Sequence, residues 1–265
     1  MLEKQIQFEE LFNKNQEWRT LIEQFSDKQT IAELEEADIP ISFGIKALIK
    51  VYQHKQVSPE ILIAELIDSK YEAQTCADLL TKMFESNLIG FNENWNRFVT
   101  LFDIDDEIKT NMEKWQFPLP LIIEPMKVKN NHSNGYHKFN NESLLLNNSY
   151  HKEDICLDHI NRVNKIPLSI NLDVAYNIKN KWKNLDKKNI KETLKEYRTR
   201  VNNFERYMRV AYMNMELIAQ EGNKCYLTHA YDKRGRTYSR GYHILDQGND
   251  WNKACVEFHH KEFIE

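Results

Sequence analysis

The chain has 265 residues, of which 41% are hydrophobic and 29% charged, with a formal net charge of −4. That length and balance suit one large or two modest domains with a buried core, and exclude a disordered tail. No apolar run approaches the ~20 residues needed to cross a bilayer, and Met1–Glu10 has neither the basic start nor the apolar stretch of a signal peptide, so a cytoplasmic protein is expected. Cys76, Cys156, Cys225 and Cys255 form no Cys-x-x-Cys pair, and His259-His260 has no partner at ligand spacing. Neither a disulfide framework nor a metal site is suggested.

The net charge hides an asymmetry. Residues 1–115 carry 12 Lys and Arg against 22 Asp and Glu, whereas residues 116–265 carry 24 against 18. Between Ile178 and Arg240 the balance is 16 basic to 7 acidic. A concentrated basic block on an otherwise acidic protein is the electrostatic footprint of phosphate-backbone binding. The acidic front half is therefore not expected to hold nucleic acid.

From Leu2 to about Trp115 apolar residues recur at helical spacing, as in Leu79, Leu80, Met83 and Phe84. An all-helical N-terminal domain, residues 1–116, is expected. Ser58-Pro59-Glu60 reads as a helix start and Gly90 as a helix stop. At Phe117 the character changes: Pro118, Pro120 and Pro125 break any helix, Leu121-Ile-Ile123 is a short β run, and Asn130–Tyr136 reads as a polar surface loop. Residues 117–172 form a connecting region with short β and helices. It includes a helix from Leu157 to before Pro167; a second helix runs from Asn171 through Trp182.

Ile190, Leu194, Tyr197, Val201, Phe204, Met208, Ala211, Met215 and Ile218 alternate spacings of four and three, one apolar seam on a single helix. Asn189 and Glu192 resemble its capping box, and Gly222 is placed to end it. About thirty residues at 1.5 Å each give a rod of roughly 45–50 Å. Lys191, Lys195, Arg198 and Arg209 lie along a neighbouring stripe, with Lys188, Arg200 and Arg206 widening the basic face. Such a face is either solvated or laid on nucleic acid, and the seam could equally receive a partner helix.

Four of the seven glycines, Gly222, Gly235, Gly241 and Gly248, fall in the last quarter, where the backbone needs φ > 0 or close approach. There Tyr231-Asp-Lys-Arg-Gly-Arg-Thr-Tyr238 is followed by Asp246-Gln-Gly-Asn-Asp-Trp-Asn-Lys253. Lys233, Arg234, Arg236 and Arg240 are interleaved with Tyr231, Tyr238 and Tyr242: forked cations, aromatic faces and a permissive glycine, the parts of a nucleic-acid grip. The plainer reading is a basic surface hairpin. A hairpin or bent strand pair about the Asp232–Gly235 turn is expected, followed by a loop at 246–250 and a short helix from Asn252 to Ile264.

Asp232-x-x-Gly235-Arg236 with Tyr238, continued by Gln247-Gly248-Asn249-Asp250-x-x-Lys253, resembles a segment near the start of the palm in single-subunit, phage and mitochondrial-type DNA-dependent RNA polymerases. Pro120, Pro125, Gly135 and Tyr136 resemble that family's connection between N-terminal domain and thumb, with His137 where an aromatic residue is common. The resemblance covers about residues 117–265. It implies a mainly α fold with a small β component: a helical N-terminal domain, thumb-like helices over 173–222 and a partial palm over 223–265. It further implies that Arg236 and Arg234 contact the template or RNA–DNA hybrid backbone, that Asp232 holds Arg236 or a neighbouring cation in place, that Gly235 permits close approach and that Tyr238 supports the turn or packs near the hybrid. Lys253, Arg206 and Arg209 are weaker contacts.

Nucleotidyl transfer needs carboxylates that hold a metal pair. In the polymerase family these follow the Asp-x-x-Gly-Arg motif by roughly a hundred residues, and only thirty-three follow Asp232 here. No catalytic residue and no metal or cofactor is thus expected on this chain; Mg²⁺ belongs to a partner. The resemblance implies the smaller subunit of a split, heterodimeric phage RNA polymerase in an infected bacterial cell, or a truncated remnant, inactive alone. The alternative is a non-enzymatic nucleic-acid-binding accessory factor of phage transcription.

Overall fold

The computed structural model of the protein describes residues 1–12, 16–139, 143–146, 151–153, 155–181 and 185–261. About 49% of the described residues are in helix and 10% in strand, a mainly α protein with a small β component. The chain divides into two compact units, residues 14–112 and residues 1–13 with 113–265. The first helix, α1 (Leu2–Leu11), therefore belongs with the C-terminal unit, and the expected 1–116 domain is cut differently. The reason is two buried polar side chains. Gln5 accepts the N–H of Ile122 at 2.8 Å, and the Glu9 carboxylate accepts the backbone N–H groups of His137 at 3.0 Å, Phe139 at 2.7 Å and also Lys138. A carboxylate that receives three main-chain donors can be buried without an ion partner.

The 14–112 unit contains α2 (Gln16–Phe25), α3 (Lys28–Glu36), α4 (Ile41–His54), β1 (Gln56–Val57), α5 (Pro59–Leu66), α6 (Ala73–Glu85), β2 (Gly90–Asn92) and β3 (Arg97–Val99), and its boundary falls within α7 (Asp106–Lys114). Its core helix is α4, which buries Phe43, Leu48, Ile49 and Val51 among others. Gly44 lets α3 approach, since a Cβ there would meet Leu34 at 2.2 Å. Ser58 caps α5, with proline at its first position. The unit is not all-helical: β3 pairs antiparallel with both β1 and β2, joined by an edge contact of Phe91 on Phe98 at 5.1 Å. Nor does Gly90 stop a helix. Asn87, at φ +56°, takes that role, while Gly90 sits in β2, where a Cβ would lie 2.7 Å from Val99 and Leu101 side chains.

The other unit continues with α8 (Leu157–Asn164), β4 (Leu168–Ile170), α9 (Leu172–Asn177), α10 (Leu194–Gln220), β5 (His229–Tyr231), β6 (Thr237–Ser239), α11 (Asp250–Cys255) and β7 (Val256–Phe258). Leu121 makes a single antiparallel bridge with Tyr226. The stretch at 130–136 is not a surface loop: Asn131 and Asn134 are buried, because Asn134 donates to the Phe139 carbonyl at 2.7 Å and Asn131 to that of Glu153 at 2.8 Å. α9 stops at Asn177, with Ile178 extended, and Trp182 lies outside the described residues. The expected helix from Asn252 is instead α11 followed by β7, which pairs antiparallel with β4; Ile264 lies outside the described residues.

α10 spans 27 residues, but starts later than Asn189. Thr193 and Glu196 form the capping box, and Ile190 is fully exposed ahead of it. Glu192 accepts the Asn189 N–H at 2.9 Å, yet its carboxylate also receives Arg200 Nε at 2.7 Å, which fixes it outside the helix. Gly222, at φ +99°, ends the helix, with the N–H of Asn223 returning to the Ile218 carbonyl at 3.2 Å. Among the described residues no helix is long and apolar enough to cross a membrane.

Candidate nucleic-acid interface

Asp232, Arg234, Gly235, Arg236 and Tyr238 lie on one antiparallel hairpin. β5 and β6 pair with His229 opposite Ser239, Ala230 opposite Tyr238 and Tyr231 opposite Thr237. The loop between them closes because Gly235 adopts φ +76° and donates its N–H to the Asp232 carbonyl at 3.0 Å, while Asp232 N–H donates to the Arg236 carbonyl at 2.9 Å. Apart from its two chain neighbours, no atom of the described residues lies within 4 Å of a Cβ built on Gly235, so the glycine serves the turn and leaves the loop tip open.

The Asp232 carboxylate organises the loop. Oδ1 accepts the N–H groups of Arg234 at 2.8 Å and Arg236 at 3.0 Å; Oδ2 accepts Arg236 Nε at 2.7 Å, with Nη2 at 2.6 Å. The Arg236 main-chain N–H, then its guanidinium, hold this carboxyl below the usual range, and Asp232 in turn raises Arg236. Arg234 Nε stands farther off, at 3.8 Å. The Asp232 side chain is 17% exposed, whereas those of Arg236 and Arg234 are 53% and 73% exposed. The carboxylate is thus tucked beneath two solvent-facing guanidinium groups. Arg236 also lies over Tyr238, 5.5 Å from the ring centroid.

Below the loop the hairpin is firmly held. Tyr231 donates its hydroxyl to the Cys156 carbonyl at 2.8 Å, and Asn164 Oδ1 accepts the His229 N–H at 3.0 Å and lies 2.9 Å from its Nδ1. Burial pushes His229 down. Arg240 is buried and donates to the Ser143 carbonyl. It therefore acts as a strut inside the fold and not, as expected, as one of the phosphate-facing cations.

The Gln247–Asp250 stretch is wired to the hairpin and to α10. Gln247 Oε1 accepts the Ser239 N–H at 3.1 Å. Asn249 caps α11 by accepting from Trp251 and Asn252. Asn252 donates to the Tyr207 hydroxyl and the His243 carbonyl, both at 3.0 Å. Gly248 makes this possible, since a Cβ there would lie 2.7 Å from that of Asn252. Lys253 projects from α11, 3.6 Å from Asp250. Arg206 and Arg209 stand on α10, half-exposed, and converge on Glu113 at 3.8 and 2.7 Å. The structure gives those two arginines an acidic neighbour in place of the hairpin.

Two features have no signal in the sequence. A cavity of about 370 Å³ beside the hairpin is lined by His159, His229, Asp246, Gln247 and Phe258, with His159 Nε2 3.1 Å from the Thr237 hydroxyl. A second cavity, of about 490 Å³, is lined by Phe204, Tyr207 and Tyr242 together with polar side chains of α10. Among the described residues no three His, Cys, Asp or Glu side chains stand together as a metal-ligand set. No protein-family model matches the sequence, and no curated protein is significantly similar to it.

Proposed function

We propose that this chain is the non-catalytic subunit of a two-polypeptide DNA-directed RNA polymerase of a phage, working in the cytoplasm of the infected bacterium. In this reading it grips template DNA and the RNA–DNA hybrid, and a larger partner subunit contributes the metal-binding catalytic palm and fingers with their Mg²⁺. The observation that carries the reading is the loop tip: Arg236 is oriented by Asp232 through Nε and Nη2 and Arg234 projects beside it, on a turn left open by Gly235. One guanidinium oriented by Asp232, with a second beside it at an open turn, suits the charge and fork geometry of phosphates. The resemblance of Asp232-x-x-Gly235-Arg236 and Gln247-Gly248-Asn249-Asp250 to the polymerase palm supplies the reaction. The residues with named roles are Arg234 and Arg236 on the strand, Asp232 and Gly235 shaping the turn, and Tyr238 beneath Arg236, with Lys253, Arg206 and Arg209 as outlying contacts.

The test is to express the tagged chain in the infected cell, purify it and assay template-directed, Mg²⁺-dependent RNA synthesis. Recovery of one larger partner at equal stoichiometry, with activity neither chain has alone, is the expected result. A chain that binds DNA in a salt-dependent way, with no partner and no RNA product, would identify the accessory factor instead.

A further inference from the structure

The first turns of α10 stand apart from the core. Tyr207, Val210, Ala211, Asn214, Met215 and Ile218 are buried, but Leu194 is exposed and Tyr197, Val201 and Phe204 are only half-buried. Beside this stretch lies the cavity of about 490 Å³, lined by Lys195, Thr199, Asn203, Phe204, Tyr207 and Tyr242. Its aromatic walls are held in place. Phe204 and Tyr207 are nearly parallel, with centroids 6.1 Å apart, and Tyr207 meets Tyr242 edge-on at 5.5 Å. Phe117 stacks on Tyr242 at 4.1 Å, and Tyr242 nevertheless remains 41% exposed.

The charged groups at the rim divide clearly. Arg200 is committed to Glu192, through Nε at 2.7 Å and Nη2 at 2.8 Å. Glu196 is committed to the helix cap, accepting from the Thr193 N–H and hydroxyl. Lys195 has no ion-pair partner among the described residues and stays available. An apolar partner helix would meet Lys195, Thr199 and Asn203 along one side of this cavity, an unfavourable match. Exposed rings with an amide, a hydroxyl and one available cation match a different ligand, a planar heterocycle joined to a phosphate.

We propose that this cavity takes an unpaired base of a single-stranded nucleic acid, stacked on Tyr242 and Phe204. Asn203 and Thr199 meet the edge of the base, and Lys195 meets the adjoining phosphate. A base already paired and stacked within a duplex cannot enter, so the cavity selects single strands. The proposal rests on the reading of this chain as a nucleic-acid grip and adds to it a base-recognition site separate from the Asp232–Arg236 loop.

The experiment uses the full chain and three fluorescent probes: a 12-residue oligothymidylate, the same backbone with abasic sites throughout, and a 12-base-pair duplex. The base-bearing strand is expected to bind about 5- to 100-fold more tightly than the abasic one. Tyr242→Ala should abolish that difference and Tyr242→Phe preserve it, while Lys195→Ala weakens both single strands alike and Arg236→Ala weakens all three probes. Equal binding of base-bearing and abasic strands would overturn the proposal, and would do so without any substitution. If Arg236→Ala weakened binding in that same experiment, the loop grip would survive and only the cavity would be lost. Failure of the unaltered chain to bind any probe would remove both. Occupation by free thymidine monophosphate as tight as by the strand would assign the cavity to a nucleotide and likewise overturn the strand proposal.

Discussion

Arg236→Ala probes the loop most directly, because its consequences for folding and for binding separate. The side chain is 53% exposed and its only ion partner among the described residues is Asp232, so its loss removes one solvent-screened surface ion pair and should leave stability nearly unchanged. The main-chain N–H of Arg236 would still donate to Asp232 Oδ1, and the turn should keep its shape. Binding is different. Of the five N–H donors of a guanidinium, Nε–H and one on Nη2 face Asp232, which leaves three for a phosphate. Losing charge-assisted hydrogen bonds of about 1.5–3 kcal/mol corresponds to roughly a 10- to 100-fold loss of affinity. Removing one phosphate contact should also make the slope of log K against log salt shallower by about 0.9 on duplex and about 0.7 on single strands. Thermal melts and fluorescence anisotropy at several salt concentrations measure the two effects on one protein. An unchanged salt slope, with affinity and RNA synthesis at the level of the unaltered protein, would refute the role of Arg236 as a phosphate contact.

Gly235 distinguishes turn geometry from close approach. Gly235→Ala should cost about 1–2 kcal/mol of stability at φ +76°, whereas Gly235→Asn, a residue that tolerates this region, should melt near the unaltered protein; if Asn also binds DNA normally, no strand comes close to the loop tip. Burial holds His243 down to about 4 against about 6.5 for an unfolded chain, so the folded state resists protonation. Its stability is whole above pH 6.5 and falls as pH drops toward 4, by up to about 3 kcal/mol. Urea unfolding at pH 7 and pH 4.5 should show this loss, and a His243→Gln variant should lose less over the same interval. Thr193→Ala should cost about 1 kcal/mol by removing the cap of α10, and Asn189→Ala close to nothing; the reverse order in denaturant melts would place the helix start four residues earlier.

How far the fold could be read in advance depends on how far apart the interacting groups lie in the chain. The hairpin was legible because its parts are local. Asp232, Arg234, Gly235 and Arg236 interact within five residues, and the flanking Ala230 and Tyr238 pair directly across the strands. The seam of α10 was legible for the same reason, but its start was not. Asn189 with Glu192 and Thr193 with Glu196 fit the same capping pattern, and Arg200, beyond the local window, takes the Glu192 carboxylate. Burial of Gln5 and Glu9 had no local sign at all. The N–H groups that satisfy them lie 117 to 130 residues away. β7 was read as helix because Val256–Phe258 is too short to show a period, and its partner is Leu168–Ile170.

The same distinction divides the candidate interface into two parts with different structural dependence. The loop at 232–236 is closed by its own hydrogen bonds, so the Arg236 guanidinium keeps its place on Asp232 as long as β5 and β6 are paired. The aromatic cavity has no such independence. Phe204 and Tyr242 come from segments 38 residues apart in sequence, and they are brought to one wall because Tyr207 accepts from Asn252, Asn252 is positioned by the Asn249 cap, and Gly248 leaves room for it. The Gln247–Asp250 stretch therefore holds both parts at once, through Gln247 to the hairpin and through the Asn249 cap on Asn252 to α10. A rigid segment tied to both is what a protein needs if a phosphate grip and a base-stacking surface are to act on one strand in a fixed register.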